Sequence, residues 1–249
     1  MASVGLLYVG AVLIVNGLML LGRVEARAAA PLNLFVGGLQ VLTPTYLIIT
    51  SGGDETTILA ASGLYLFGFT YLYVGINLLA GLDGTGLGWF SAFVAVAAVV
   101  YAGLNFGDRL DDPAFGVIWL YWAVLWALFF LVLGLGRAEL TRFTGAVAVV
   151  AGVVTCMVPA FLLLTGKWTG YRTEATVALA VVCGLSLLLW VPLRGSGVPA
   201  EPARPAPGDQ PAGGGSGTPT PRTEAAGPEV VGAASPDRPA AGTTTEPRR

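Results

Sequence analysis

The sequence contains no histidine and only two cysteines, Cys156 and Cys183, in 249 residues. Histidine is the usual general acid or base near neutral pH and the commonest metal ligand, so its absence excludes that chemistry. The cysteines lie in separate apolar runs without the CxxC spacing of a zinc site, and nothing indicates a disulfide framework. No Ser/His/Asp set or phosphate-binding loop is present either. We therefore expect no catalytic residue, no metal, no cofactor and no enzymatic activity.

Charge is also scarce. Charged residues make up 11% of the chain and apolar residues 55%, whereas charges account for about a quarter of a soluble domain. The net charge of −2 gives no reason to expect a nucleic-acid partner. The composition instead indicates an integral membrane protein.

Seven runs without a charged residue have the length of a membrane-spanning helix, about 20 residues. They are residues 4–22, 32–50, 57–79, 88–106, 115–135, 143–165 and 175–193. The connections are short, so consecutive helices should be antiparallel neighbours. We predict an all-α polytopic membrane protein with a six-helix channel domain of three hairpins in residues 1–168. A seventh transmembrane helix is predicted within residues 169–194.

The distribution of Lys and Arg predicts the orientation. Arg23, Arg27, Arg137, Arg142 and Arg194 fall on one side, against Arg109, Lys167 and Arg172 on the other. This bias predicts an N-terminus outside the cell and a cytoplasmic C-terminus, provided that the seventh run spans. From Gly195 onward, Pro, Gly, Ala, Thr and Ser dominate, which predicts a disordered tail over residues 195–249.

The predicted spans carry neutral polar residues but no Asp, Glu, Lys or Arg. Charges inside a membrane mark ion and proton pathways, so the pattern disfavours a pump or ion channel and fits passage of a small neutral solute. In the fifth run, Trp119, Trp122 and Trp126 are spaced by three and four and share one helix face. Such a stripe can pack between helices, or it can line a slot for planar, uncharged molecules. The spacing leaves both interpretations open.

Several strings together resemble the AmiS/UreI family of amide transporters and urea channels. The resemblance extends over residues 4–168, and the string in the third helix is one of its most specific parts. The strings are Leu6-Leu7-Tyr8-Val9-Gly10, Phe35-Val36-Gly37-Gly38, Leu66-Phe67-Gly68-Phe69-Thr70-Tyr71-Leu72-Tyr73, Ile118-Trp119-Leu120 and Val124-Leu125-Trp126.

This resemblance implies a homohexamer in the plasma membrane in which each protomer encloses its own channel. The channel would conduct urea or short-chain aliphatic amides, often toward a cytoplasmic amidase or urease. It also implies that the tryptophan stripe lines the pore. The implied pore-lining residues are Leu6, Val9, Leu13, Asn16, Phe69, Thr70, Tyr73, Trp119, Trp122, Leu125 and Trp126.

The sequence departs from the acid-gated urea channels of this family. Those channels carry histidines in an extended loop after the second helix, where this chain has only Gly52-Gly53-Asp54-Glu55. They also carry a glutamate in the sixth helix, at the position of Ala151. Both differences favour an ungated facilitator. The alternative is a non-transporting membrane scaffold or sensor that recruits a soluble partner through its tail.

Overall fold

The computed structural model describes residues 1–188, and this part of the chain forms seven helices joined by short turns. The helices are α1 (Ala2–Leu20), α2 (Ala26–Thr50), α3 (Glu55–Ala80), α4 (Thr85–Phe106), α5 (Pro113–Gly134), α6 (Ala138–Leu164) and α7 (Arg172–Leu187). Helices α1 to α6 are long and apolar enough to cross a membrane. The six predicted spans of the core are therefore confirmed.

Helix α7 coincides in part with the seventh predicted run, residues 175–193. It has 16 residues and starts at Arg172, directly after a 3-10 turn at Trp168–Tyr171. It packs against α5 and α6, and the hydroxyls of Tyr121 and Ser186 lie 2.6 Å apart. The end of the predicted run and the whole predicted tail lie outside the described residues, so a seventh span stays a prediction.

The core is a ring of three antiparallel helix pairs. Helix α2 packs most extensively against α3, α4 against α5, and α6 against α1, so that the last helix of the core closes the ring on the first. Glycines make this closure possible. A Cβ atom on Gly10 would approach the Gly152 carbonyl to 2.7 Å, and one on Gly17 would approach the Gly145 carbonyl to 2.6 Å. Small residues permit such close backbone packing in membranes, where lipid is as apolar as the helices.

The middle of α6 widens into a π-helical segment, Ala151–Met157, between α-helical Thr141–Val150 and Val158–Leu164. Pro159 lies two residues after this segment and has no N–H to offer to the preceding turn. The wider turn accommodates this lost hydrogen bond. It also brings the hydroxyl of Thr155 into the interior of the bundle, where it is fully buried.

Aspartate side chains accept hydrogen bonds from the first turns of α3 and α4. Asp54 accepts a hydrogen bond from Thr57 N at 2.8 Å, and Asp83 accepts one from Thr85 N at 2.9 Å. The side-chain and backbone hydrogen bonds of Thr57 hold the pKa of Asp54 below its ordinary value of 3.8, and those of Thr85 do the same for the pKa of Asp83. Because each pKa is lowered on folding, the stabilisation is fully present above pH 3.8 and is lost as the pH falls through the folded-state value.

Candidate permeation pathway

The helix ring encloses two cavities. The upper cavity lies at the end of the bundle where the chain begins and has a volume of about 420 Å³. The lower cavity lies toward the opposite end and has a volume of about 290 Å³. Phe67 and Trp122 line both cavities. Side-chain rings, and not backbone, therefore separate the two spaces.

An aromatic cluster of Phe67, Trp119, Trp122 and Trp126 forms this partition. The Phe67 ring centroid lies 4.6 Å from that of Trp122 and 4.8 Å from that of Trp126, both in edge-to-face geometry. Trp119 and Trp122 also meet edge to face, at 5.0 Å. Tyr101 stacks on Trp119 at 4.6 Å. Edge-to-face and stacked pairs are the favoured aromatic arrangements, so neighbouring rings hold each other in position.

The indole of Trp122 is fixed from α6. Its Nε1 donates a hydrogen bond to Thr155 Oγ1 at 2.9 Å, and the Thr155 hydroxyl donates in turn to the Ala151 carbonyl at 2.6 Å. The π-helical segment thus determines the orientation of the central tryptophan. Since its N–H is engaged, Trp122 offers ring surface to the cavities.

The wall of the upper cavity includes one carboxylate, that of Asp112. Its Oδ1 accepts a hydrogen bond from Phe115 N at 3.2 Å, and its Oδ2 accepts one from Trp168 Nε1 at 2.7 Å. Arg172 Nε lies 3.8 Å from the same Oδ2. This carboxylate therefore links the start of α5 to Trp168 and to Arg172, the first residue of α7.

The wall of the lower cavity contains no charged side chain among the described residues. Two of its hydroxyls donate hydrogen bonds to carbonyls of their own helices. Thr70 donates to the Leu66 carbonyl at 2.6 Å, and Ser91 donates to the Leu87 carbonyl at 2.8 Å. Each hydroxyl oxygen keeps acceptor capacity for a solute N–H. The lower cavity is accordingly apolar with a few neutral hydrogen-bonding groups.

Nine of the eleven residues expected to line the pore are in the cavity walls. Leu6, Val9 and Trp119 line the upper cavity; Leu13, Asn16, Thr70, Leu125 and Trp126 line the lower one; Trp122 lines both.

The other two, Phe69 and Tyr73, line neither cavity. Phe69 is 50% exposed and stacks on Tyr65, and the Tyr73 hydroxyl lies beside Gly86 at the start of α4. Helix geometry explains their placement. Positions two residues apart are rotated by roughly 200° around a helix, so Phe67 and Phe69 point in nearly opposite directions.

Phe67, Tyr71 and Gln40 are among the cavity residues that were not expected. The third helix offers two aromatic pairs spaced by four, residues 67/71 and 69/73, and spacing alone does not choose between them. The neutral polar residue of this string, Thr70, lies three residues from both Phe67 and Tyr73, so its position does not choose between the two pairs either.

Six membrane-length helices around two cavities that meet at an aromatic cluster define a multi-pass membrane protein. The chain belongs to the AmiS/UreI transporter family, whose family model matches residues 1–167. This confirms the resemblance seen in the sequence.

Relatives support the same assignment. The chain is 60% identical over 197 residues to a Rhodococcus erythropolis protein named as a transporter, AmiS2, a match that covers 77% of this chain and 94% of that protein. It is 61% identical over 180 residues to a Mycolicibacterium smegmatis protein named as a transporter of amidate substrates, covering 72% and 84%. A cryo-EM structure of the Helicobacter pylori urea channel in its closed state matches with 37% identity and a TM-score of 0.61, covering 68% of this chain and 100% of that chain.

Proposed function

We propose that the chain forms a passive channel for small neutral amides, either short-chain aliphatic amides or urea. The observation that carries this proposal is the meeting of two cavities at the aromatic cluster. A solute that passes from one to the other must move along the rings of Phe67 and Trp122. The names of the relatives, which include transporters of amidate substrates and a urea channel, point to the same class of solute.

The physical properties of the passage favour planar, uncharged solutes. An ion would lose its hydration at the rings without gaining a charged partner, which costs several kcal/mol or more. A primary amide is flat and neutral, so it can lie along an aromatic face while its polar edge contacts the few neutral groups of the wall. Bulky or tetrahedral solutes lack this fit.

We propose that the aromatic cluster is the selectivity constriction and that the rest of the pore lining lies in the two cavity walls. This set comprises Leu6, Val9, Leu13, Asn16, Phe67, Thr70, Tyr71, Trp119, Trp122, Leu125 and Trp126.

We further propose that the protein acts as a homohexamer in the plasma membrane, with the N-terminus outside. Large apolar side chains point outward from the ring, among them Phe35 at 76% and Phe93 at 63% exposure. Such a surface suits lipid or neighbouring copies of the chain. A cytoplasmic amidase or urease that consumes the permeant would keep a passive flow directed inward.

Reconstituted vesicles test the proposal. Vesicles that contain the protein should re-swell faster in acetamide or urea than empty vesicles, as followed by stopped-flow light scattering. Equal rates with correctly inserted protein would overturn the channel. A chain that lacks residues 195–249 serves as the matched variant, because undiminished flux without the tail separates the channel from a tail-dependent scaffold.

A further inference from the structure

We propose that Gln40 is the residue that binds the amide group of the permeant in the upper cavity. This inference rests on the proposed function. Gln40 lies near the middle of α2, is 1% exposed, and lines the upper cavity together with Phe67 and Trp119. Its Oε1 is buried and has no hydrogen-bond partner within the part of the chain that the structure describes.

A buried polar side chain without a hydrogen-bond partner is the exception in this bundle. Thr45, on the same helix, donates to the Val41 carbonyl at 2.7 Å and shares a second hydrogen bond of 2.7 Å with the hydroxyl of Tyr65. A buried polar group that is left unsatisfied lowers stability, and more so where no water is at hand. An unpaired amide beside a cavity therefore indicates a partner that arrives through the cavity.

Asn77, in the wall of the lower cavity, also has a buried oxygen without a partner in the described residues. Its amide is partly engaged, because Nδ2 donates to the Asp83 carbonyl in the turn after α3 at 3.4 Å. Asn77 thus also closes the turn between α3 and α4. Gln40 has no such engagement, and it lines the same cavity as three rings of the aromatic cluster, those of Phe67, Trp119 and Trp122.

One glycine makes room for the Gln40 side-chain amide, and a second lets the backbone of α2 approach α3 at the same residue. A Cβ atom on Gly5 of α1 would overlap Oε1, and one on Gly68 of α3 would approach the Gln40 backbone carbonyl to 3.0 Å. The last torsion of a glutamine side chain is broad and roughly two-fold. Rotation about it turns either Oε1 or Nε2 toward the cavity. The side chain can therefore present an acceptor or a donor without a change in the backbone.

The bundle itself contains an example of the chemistry required. Asn16 and Asn33 pair through two amide–amide hydrogen bonds of 2.9 and 2.7 Å. A primary amide or urea offers the same adjacent N–H and C=O groups. Its N–H donates to Gln40 Oε1, or its carbonyl accepts from Gln40 Nε2. Next to the aromatic cluster, this contact compensates for the water that the solute leaves behind.

The test compares Gln40→Met with a matched variant, Thr45→Val, in reconstituted vesicles and in detergent. Gln40→Met keeps the length of the side chain and removes its hydrogen bonds. We expect acetamide permeability relative to water permeability to fall by about three- to ten-fold, the value of one net hydrogen bond. We expect the midpoint of thermal unfolding to stay equal or to rise, since an unpaired polar group is removed from the interior. Thr45→Val should lower the midpoint and leave the permeability ratio unchanged.

Three results would overturn the inference, and they are distinguishable. If the wild-type protein conducts neither acetamide nor urea, the proposed function fails and the role of Gln40 fails with it. If the wild type conducts and Gln40→Met has the same acetamide-to-water ratio, only the role of Gln40 is wrong. If Gln40→Met lowers the midpoint as Thr45→Val does and reduces both permeabilities equally, then Gln40 holds the helices together and does not bind the solute.

Discussion

Asn16 and Asn33 join α1 to α2 through a reciprocal pair of amide hydrogen bonds. Asn16 Nδ2 donates to Asn33 Oδ1 at 2.9 Å, and Asn33 Nδ2 donates to Asn16 Oδ1 at 2.7 Å. Asn33 Nδ2 also donates to the Ala29 carbonyl at 2.9 Å. Both side chains are buried, and Asn16 lines the lower cavity. The pair fixes the register of the two helices at the wall of the passage.

Replacement of one member of this pair should destabilise the bundle more than replacement of both. Asn33→Leu leaves the Asn16 amide buried without a partner, so the free energy of unfolding should fall by about 1–3 kcal/mol. The double variant Asn16→Leu/Asn33→Leu should lose less than the sum of the two single losses. A double-mutant cycle in detergent measures this coupling. Strictly additive losses would contradict the pairing.

Phe67 and Phe69 provide a matched test of which face of α3 lines the passage. Phe67 contacts Trp122 and Trp126, whereas Phe69 is half exposed. Phe67→Ala should open the partition and raise the permeability of butanamide relative to acetamide by about ten-fold, the lower end of the discrimination that one methylene gives in an apolar pocket. It should also lower the free energy of unfolding by about 3 kcal/mol.

Phe69→Ala is the control for this change. It removes the same number of atoms from the same helix, but its ring touches neither cavity. Solute swelling assays should give an unaltered butanamide-to-acetamide ratio. A changed ratio for Phe69→Ala with an unchanged one for Phe67→Ala would reverse the assignment of the faces.

The helix count of the core was predictable because charge-free runs of about 20 residues are separated by short polar breaks. The pairing of α6 with α1 was not predictable from adjacency. It depends on the contacts of Gly10 with Gly152 and of Gly17 with Gly145 where the ring closes. Because glycine is frequent in every span, the sequence does not show which glycines meet. The tryptophan spacing predicted a shared face correctly, since all three tryptophans are buried together.

The sequence could not predict which face of α3 lines the cavities, for a different reason. Aromatic residues occur on both faces of this helix, and only the packing of Phe67 against Trp119 and Trp122 distinguishes them. The sequence shows Gln40 as a polar residue within the second charge-free run, but its lack of a hydrogen-bond partner depends on the positions of neighbouring side chains. Properties that arise from contacts between helices appear only in the folded bundle.

The glycine contacts between α1 and α6 predict a strong effect of a single methyl group. A Cβ atom on Gly10 would lie 2.7 Å from the Gly152 carbonyl and 3.1 Å from Cys156 Cβ. Gly10→Ala should therefore separate the helices and lower the free energy of unfolding by about 1–3 kcal/mol. Gly103→Ala on α4 is the control, because a Cβ there meets nothing within 4 Å, and it should raise stability by about 0.5–1 kcal/mol. Equal effects at the two positions, measured by unfolding in detergent, would refute the close contact.

The absence of histidine predicts solute flow that does not respond to acid. Histidine is the only side chain whose unperturbed pKa lies between pH 5 and 8, and the chain has none. The pKa values of Asp54 and Asp83 in the loops are lowered from 3.8 by hydrogen bonds from Thr57 and Thr85, so these carboxylates stay charged throughout that range. Acetamide permeability at pH 5 should agree with that at pH 7.5 to within about two-fold, because no such group changes charge. A relative at 36% identity is named an acid-activated urea channel, and it supplies the positive control under the same conditions. An acid-induced rise of similar size in both proteins would show that activation in this chain depends on groups other than histidine.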